Sequence, residues 1–121
     1  MRTDAFKGII ERVIGTPGVR GALVVAVRDG LVVDGRVHVG VPGEAVAALA
    51  ASLFRRARSA TDGNGTADAR FVELEAEKGR IVIAGKEELA LMAVMESRAN
   101  AGQVRLAVRR AADDLAAAAG S

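Results

Sequence analysis

Phe6, Ile9, Ile10 and Val13 recur at helical spacing while Lys7, Glu11 and Arg12 fall on the other side, which predicts an amphipathic first helix. Gly15 and Pro17 close it. Gly21 to Val27 is apolar on both alternating faces, the pattern of a central strand covered above and below. Asp29-Gly30 then favours a hairpin turn, because both residues tolerate positive φ. The returning strand, Leu31 to Val39, sets Leu31, Val33, Gly35 and Val37 on one face and Asp34, Arg36 and His38 on the other. That polar face places it at an outer position.

Val41-Pro42-Gly43-Glu44 opens a second helix, with Val46, Leu49, Ala50, Leu53 and Ala57 as its expected buried stripe. Arg55, Arg56 and Arg58 come near its C-terminus, where positive charge complements the helix dipole. Residues 61–68, TDGNGTAD, read as a flexible internal loop. Arg70 to Ala76 alternates Val72, Leu74 and Ala76 against Phe71, Glu73 and Glu75, and Lys78-Gly79 turns the chain into Arg80 to Ala84. Glu88 to Met95 makes a fifth strand whose apolar run fits the centre of a sheet. From Gly102 the period is helical again, through Val104, Ala107, Val108, Ala111, Leu115 and Ala118. Leu106 lies opposite this stripe and is expected under the first helix. Arg109 with Asp113 and Arg110 with Asp114 are spaced for pairs on a solvated face. The order α-β-β-α-β-β-β-α predicts an α/β sandwich: a five-stranded, mostly antiparallel sheet with helices on both faces.

A chain of 121 residues fits one domain, residues 1–121, that buries roughly two-thirds of its unfolded surface. The absence of Cys removes disulfides, thiolate metal sites and cysteine nucleophiles together and fits the cytoplasm. No signal-peptide core is visible at the start, and no apolar run approaches the ~20 residues of a membrane-spanning helix, so membrane insertion is not expected. The pI of 9.7 admits nucleic acid as a partner. Trp and Tyr are absent, only three Phe are present, and the basic residues are interleaved with acids, so the stacking platforms of such a partner are missing.

Candidate chemistry is sparse. His38 is the only histidine, on a polar strand face with no second ligand nearby in sequence. Gly79 to Lys86, GRIVIAGK, has its glycines one residue too far apart for a phosphate loop, and Glu87 stands where a Ser or Thr would bind magnesium. The Asp62-Gly63-Asn64-Gly65 stretch follows a helix rather than opening one, which denies a phosphate the helix N-terminus. Glu73, Glu75 and Glu77 share a strand face that is read as solvated. Asp113 and Asp114 diverge by about 100° around their helix and make no dyad. No catalytic, cofactor or metal site is expected, and the chain reads as non-enzymatic.

Two surfaces remain. The outward side of the second helix carries Glu44, Ala45, Ala48, Ala51, Ser52, Arg55 and Ser59. Small residues there admit the close approach of another helix, and they also serve simply as good helix formers. Arg70, Phe71, Val72, Glu73 and Leu74 belong to a strand that at a sheet edge would invite pairing with an identical strand, with Phe54 on the flank of the second helix joining the contact. The glutamates read equally as gatekeepers against such pairing.

Gly18-Val19-Arg20-Gly21-Ala22-Leu23-Val24-Val25, Asp29-Gly30-Leu31 and Ala99-Asn100-Ala101-Gly102-Gln103-Val104-Arg105-Leu106-Ala107-Val108-Arg109-Arg110-Ala111 resemble the Roadblock/dynein light chain family. Within it they resemble the small bacterial MglB-type regulators of Ras-like GTPases. The resemblance implies a homodimer joined through the third strands, with paired second helices that receive a small Ras-like GTPase. By position, Ala45, Ala48, Ser52, Arg55 and Ser59 would form the partner surface, and Phe54 with Arg70 to Leu74 the dimer interface. Two other readings stay open: a scaffold of the same fold that holds other proteins, and a basic domain that binds nucleic acid or another anion.

Overall fold

A computed structural model describes residues 2–62 and 70–119. Its elements run α1 (Arg2–Ile14), β1 (Val19–Ala26), β2 (Val32–Val37), α2 (Gly43–Asp62), β3 (Phe71–Ala76), β4 (Gly79–Gly85), β5 (Leu89–Glu96) and α3 (Ala101–Ala119). The expected element order is therefore the observed one. The strands form one sheet in the order β2-β1-β5-β4-β3, and all four pairings are antiparallel. β5 and β1 lie inside it, as their apolar runs require, and β2 and β3 are its two edges. Of the expected 61–68 loop, Thr61 and Asp62 belong to α2, and the rest lies outside the described residues.

The sheet separates two cores. On one face α1 and α3 pack through Phe6, Ile9, Val13, Val104, Val108 and Leu115 onto Val24, Val82, Leu91 and Met95. On the other, α2 alone packs through Ala47, Ala50, Ala51 and Phe54 onto Leu23, Val25, Ile83 and Met92. This corrects the expected α2 stripe. Leu49 is 48% exposed, Leu53 is half-buried, and Phe54, expected on the dimer flank, and Ala51, expected on the outward side, are fully buried. The helix is turned by about 100°, one residue, from that expectation. The α2 apolar arc is wide enough for either orientation. Three alanines beneath the axis let the backbone approach the sheet, and the largest side chain fills the core.

The polar terms differ in the same way. Arg55 and Arg58 lie short of the α2 C-terminus, where no basic residue occupies the last turn. Their guanidinium groups donate to the carbonyls of Val27 and Glu87, each at 2.6 Å. Asp113 and Asp114 do not serve the helical pairs expected of them, because Lys86 approaches Asp113 at 2.9 Å and Arg12 approaches Asp114 at 3.0 Å. Leu106 is left 51% exposed rather than covered by α1.

The segments that carried the family resemblance hold the turns together. Gly18 takes φ +89° and sits against Ala99, while Glu96 N–H donates to the Gly18 carbonyl at 2.9 Å. Asn100 caps α3, its Oδ1 accepting from Gln103 N–H at 3.0 Å. These residues therefore bring the start of β1 and the β5–α3 turn into contact.

Candidate protein-interaction surface

The outer side of α2 exposes Ala45, Ala48, Arg55 and Ser59 and leaves Ser52 half-buried. Ala48 borders the β1–β2 turn, its Cα 3.2 Å from where a Cβ on Gly30 would stand. Arg55 is tied to the end of β1 through Val27, so its guanidinium is positioned rather than loose. The opposite flank of α2 carries Val46, Leu49 and Leu53, none of them fully covered.

Below that flank a row of paired residues crosses the sheet: Leu74 beside Ile81, Ile81 beside Val94, Val94 beside Gly21, and Gly21 beside Val37. Leu74, Ile81 and Val94 are half-buried and Val37 is exposed, whereas Ile83, Met92 and Leu23 in the next row are buried under α2. The result is an apolar shelf that reaches the β3 edge. Sequence reasoning assigned Leu49 and Leu53 to the core, and it gave Ile81 and Val94 no surface role. The signal that distinguishes them is side-chain size along α2, since only the face with three alanines and Phe54 fits closely over a sheet.

At the β3 edge Gly85 N–H donates to the Arg70 carbonyl at 3.1 Å. With the β3–β4 register this turns the backbone groups of Val72 and Leu74 inward and those of Phe71, Glu73 and Glu75 outward. Arg70 is exposed; Phe71, Val72, Glu73 and Leu74 are half-buried. Glu73 departs from the solvated reading. Arg105 grips both its oxygens, at 2.6 and 3.0 Å, and Arg80 lies 3.6 Å away. Arg109 stacks 4.1 Å above the Phe71 ring. Side chains on the α3 side of this edge are thus held by their own chain, while Glu75 and Glu77 are exposed.

The hydrogen bonds from Arg105 hold the Glu73 carboxyl below its ordinary value of 4.5; partial burial opposes the shift, and the charges of Arg105 and Arg80 add to it. Because the folded-state pKa is the lower one, this clamp stabilises the fold above the ordinary carboxylate range and loses that contribution as pH falls through the depressed value. A Glu73→Gln variant is therefore expected to melt below the wild type at neutral pH, with the gap closing on acidification. Tm measured across acid pH checks this, and a gap that persists or widens in acid contradicts the clamp.

Among the described residues no group of three His, Cys, Asp or Glu side chains is placed to hold a metal ion, and no helix is long and apolar enough to cross a membrane. His38 is exposed. The basic residues are dispersed, with Arg12, Lys86 and Arg105 each paired to an acid on another element.

The architecture defines a class: a five-stranded antiparallel sheet, one helix on one face and two on the other, with both edge strands open among the described residues. Residues 6–96 match the model of the Roadblock/LC7 domain, and the chain belongs to that family. A Methanocaldococcus jannaschii protein of uncharacterized function is 30% identical over 115 residues, covering 92% of this chain and 97% of its own. The gliding protein MglB of Thermus thermophilus has the same fold, with TM-score 0.86 at 22% identity over 99% of this chain and 92% of that one. A Roadblock/LC7 domain from Streptomyces avermitilis follows at TM-score 0.78 and 20% identity, over 97% and 96% of the two chains.

Proposed function

We propose that this chain is a non-enzymatic regulator or adaptor that forms a homodimer through β3 and binds a small Ras-like GTPase on the paired α2 helices. The observation that carries the reading is the continuity of the apolar shelf with an open edge. Leu74, Ile81 and Val94 run from under α2 to a strand whose outward amides and carbonyls, at Phe71, Glu73 and Glu75, are available for a ladder. A second copy placed there by a two-fold axis continues the sheet and brings the Leu49 and Leu53 flanks of the two α2 helices together. Ala45, Ala48, Ser52 and Ser59 then lie on the outer side of the helix pair, where short side chains admit another backbone. Arg55, anchored on Val27, lines the same surface. Phe54 takes no direct part, because it is enclosed in the core.

Likeness to MglB supports the choice of a Ras-like GTPase over an unrelated protein, and the dispersed charge weighs against the nucleic-acid reading. A regulator of this kind acts by reshaping the GTPase's own site, which requires no catalytic group from this chain.

Capture of a GTP-loaded Ras-like GTPase from the same cell, read together with solution mass, tests the reading. The wild-type chain is expected to be a dimer and to retain the GTPase. Ala48→Arg sets a long cation on the proposed surface and is expected to weaken capture by about tenfold or more, as bulky charge in a docking patch does, while the dimer persists. Undiminished capture by Ala48→Arg would remove this surface. Capture of other proteins but no GTPase would favour the scaffold.

A further inference from the structure

The other free edge carries a pattern of its own. Among the described residues Leu31, Val33, Val37 and Val39 are four of the six large apolar side chains left exposed, and all lie on β2 or within two residues of its ends. His38 N–H donates to the Arg20 carbonyl at 2.8 Å. With Ala22 beside Arg36 and Val24 beside Asp34, this turns the backbone of Asp34, Arg36 and His38 toward β1 and that of Gly35 and Val37 toward the open side. Two clefts flank the strand at Gly35. One, of about 250 Å³, is bounded by Lys7, Glu11 and Arg36; the other, of about 240 Å³, by Leu23, Val37 and Gly43. A Cβ at Gly35 would overlap Leu23 Cδ2, so Leu23 takes the space of a side chain and Gly35 presents bare backbone.

Outward from Gly35 the sequence is self-complementary in the antiparallel sense. Asp34 and Arg36 stand one residue to either side, Val33 and Val37 two, Leu31 and Val39 four. Two copies paired about Gly35 set each Asp34 opposite Arg36 of the second copy and each Val33 opposite Val37 of the second copy. Centring the pair on Asp34 or on Arg36 instead sets like charges face to face, which is unfavourable, so the charges select one register.

We infer that the β2 edge is a second self-association surface whose partner is another copy of this chain, joined in an antiparallel ladder centred on Gly35. In the separate chain Asp34 Oδ1 accepts from Gly35 N–H at 2.8 Å, and among the described residues Arg36 has only a loose partner in Glu11 at 4.0 Å. Pairing exchanges both contacts. The Gly35 amide turns to the carbonyl of Gly35 in the second copy, and the freed Asp34 carboxylate meets the guanidinium of Arg36 there. The β1–β2 register shifts at Val24/Val25, leaving Val33 without a β1 partner, and such a bulge twists the strand and keeps the ladder short. Association is therefore concentration-dependent.

This surface is independent of the β3 contact, and the test separates them. A Leu74→Lys background places a charge at the β3 edge and blocks pairing there. Sedimentation velocity of the full chain in that background, over a concentration series, is expected to show monomers giving way to dimers. Adding Arg36→Asp sets Asp34 against an acid on both sides of the two-fold axis and is expected to weaken this dimer by about tenfold. Adding Asp34→Arg as well reverses both charges, keeps opposite signs in the same register and restores it. Val37→Lys, on the exposed side of the strand, is expected to abolish it with unchanged circular dichroism. Without Leu74→Lys, the same series is expected to move between a dimer and larger species. A chain that stays monomeric in the blocked background at every concentration overturns the inference and leaves the edge to an extended segment of another protein. A double reversal that recovers nothing overturns it as well.

Discussion

Phe54→Ala is expected to destabilise the fold by about 3–5 kcal/mol, the range for removing a fully buried aromatic side chain. The position is 0% exposed, and the other buried α2 residues of this core are Ala47, Ala50 and Ala51, which have little area to give. The ring also supports the Arg58 guanidinium, 4.4 Å from its centroid, and Arg58 in turn donates to the Glu87 carbonyl. One substitution therefore leaves a cavity and loosens a polar strut. Domains of this kind hold about 5–15 kcal/mol in total, so the loss is a large fraction of what is available. Urea unfolding followed by circular dichroism measures it. Phe54→Leu keeps most of the volume and is expected to cost less than about 1.5 kcal/mol. Equal midpoints for Phe54→Ala and wild type would mean that α2 is not held by this side chain.

Gly18→Ala is the second large effect, by a different route. At φ +89° a side chain is strained whatever space surrounds it, and here the added methyl also meets Ala99, whose Cα would be 2.9 Å away. Left-handed backbone costs about 1–2 kcal/mol, and overpacking against a fixed neighbour about 1–3. A total of roughly 2–5 kcal/mol follows, a fall of about 10 °C or more in Tm for a domain of this length. The strain falls on the contact between the α1–β1 and β5–α3 turns, where Glu96 N–H meets the Gly18 carbonyl. Ala99→Gly in the same chain removes the contact with the Ala99 Cβ but leaves the close Cα and the dihedral strain, so it should recover part of the loss. Full recovery would show that neither the dihedral nor the backbone contact is costly, and no recovery that the Ala99 Cβ contact is not.

Most of the architecture was legible because its signals are local. Periodicity located all eight elements, continuous apolar runs placed β1 and β5 inside the sheet, and a polar face put β2 outside. The orientation of α2 was not legible, since Val46, Ala47, Leu49, Ala50, Ala51, Leu53 and Phe54 offer two apolar stripes and only contact with the sheet chooses between them. That choice matters to the candidate site. It takes Phe54 into the core and turns Leu49 and Leu53 outward, on the flank beside Leu74. Ion pairing was likewise hidden, because Glu73 with Arg105 and Asp114 with Arg12 join residues far apart in sequence. Helical spacing predicted partners four residues away, and tertiary contacts took those side chains instead. The β3 segment 70–74 did prove to flank a sheet edge, while its role in pairing with a second copy rests on the proposal above.

Among the described residues the sheet divides the interior unequally, with seventeen buried residues on the α1 and α3 side and ten on the α2 side. Local opening free energies follow such differences, because an element that buries less apolar area detaches at lower cost than the whole molecule unfolds. The amides of α2 are therefore expected to exchange with solvent through an opening of their own, ahead of those in β1, β5 and α3, whose protection is expected to report the global transition. A protein bound on the proposed partner face of α2 is thus expected to raise the protection of that helix.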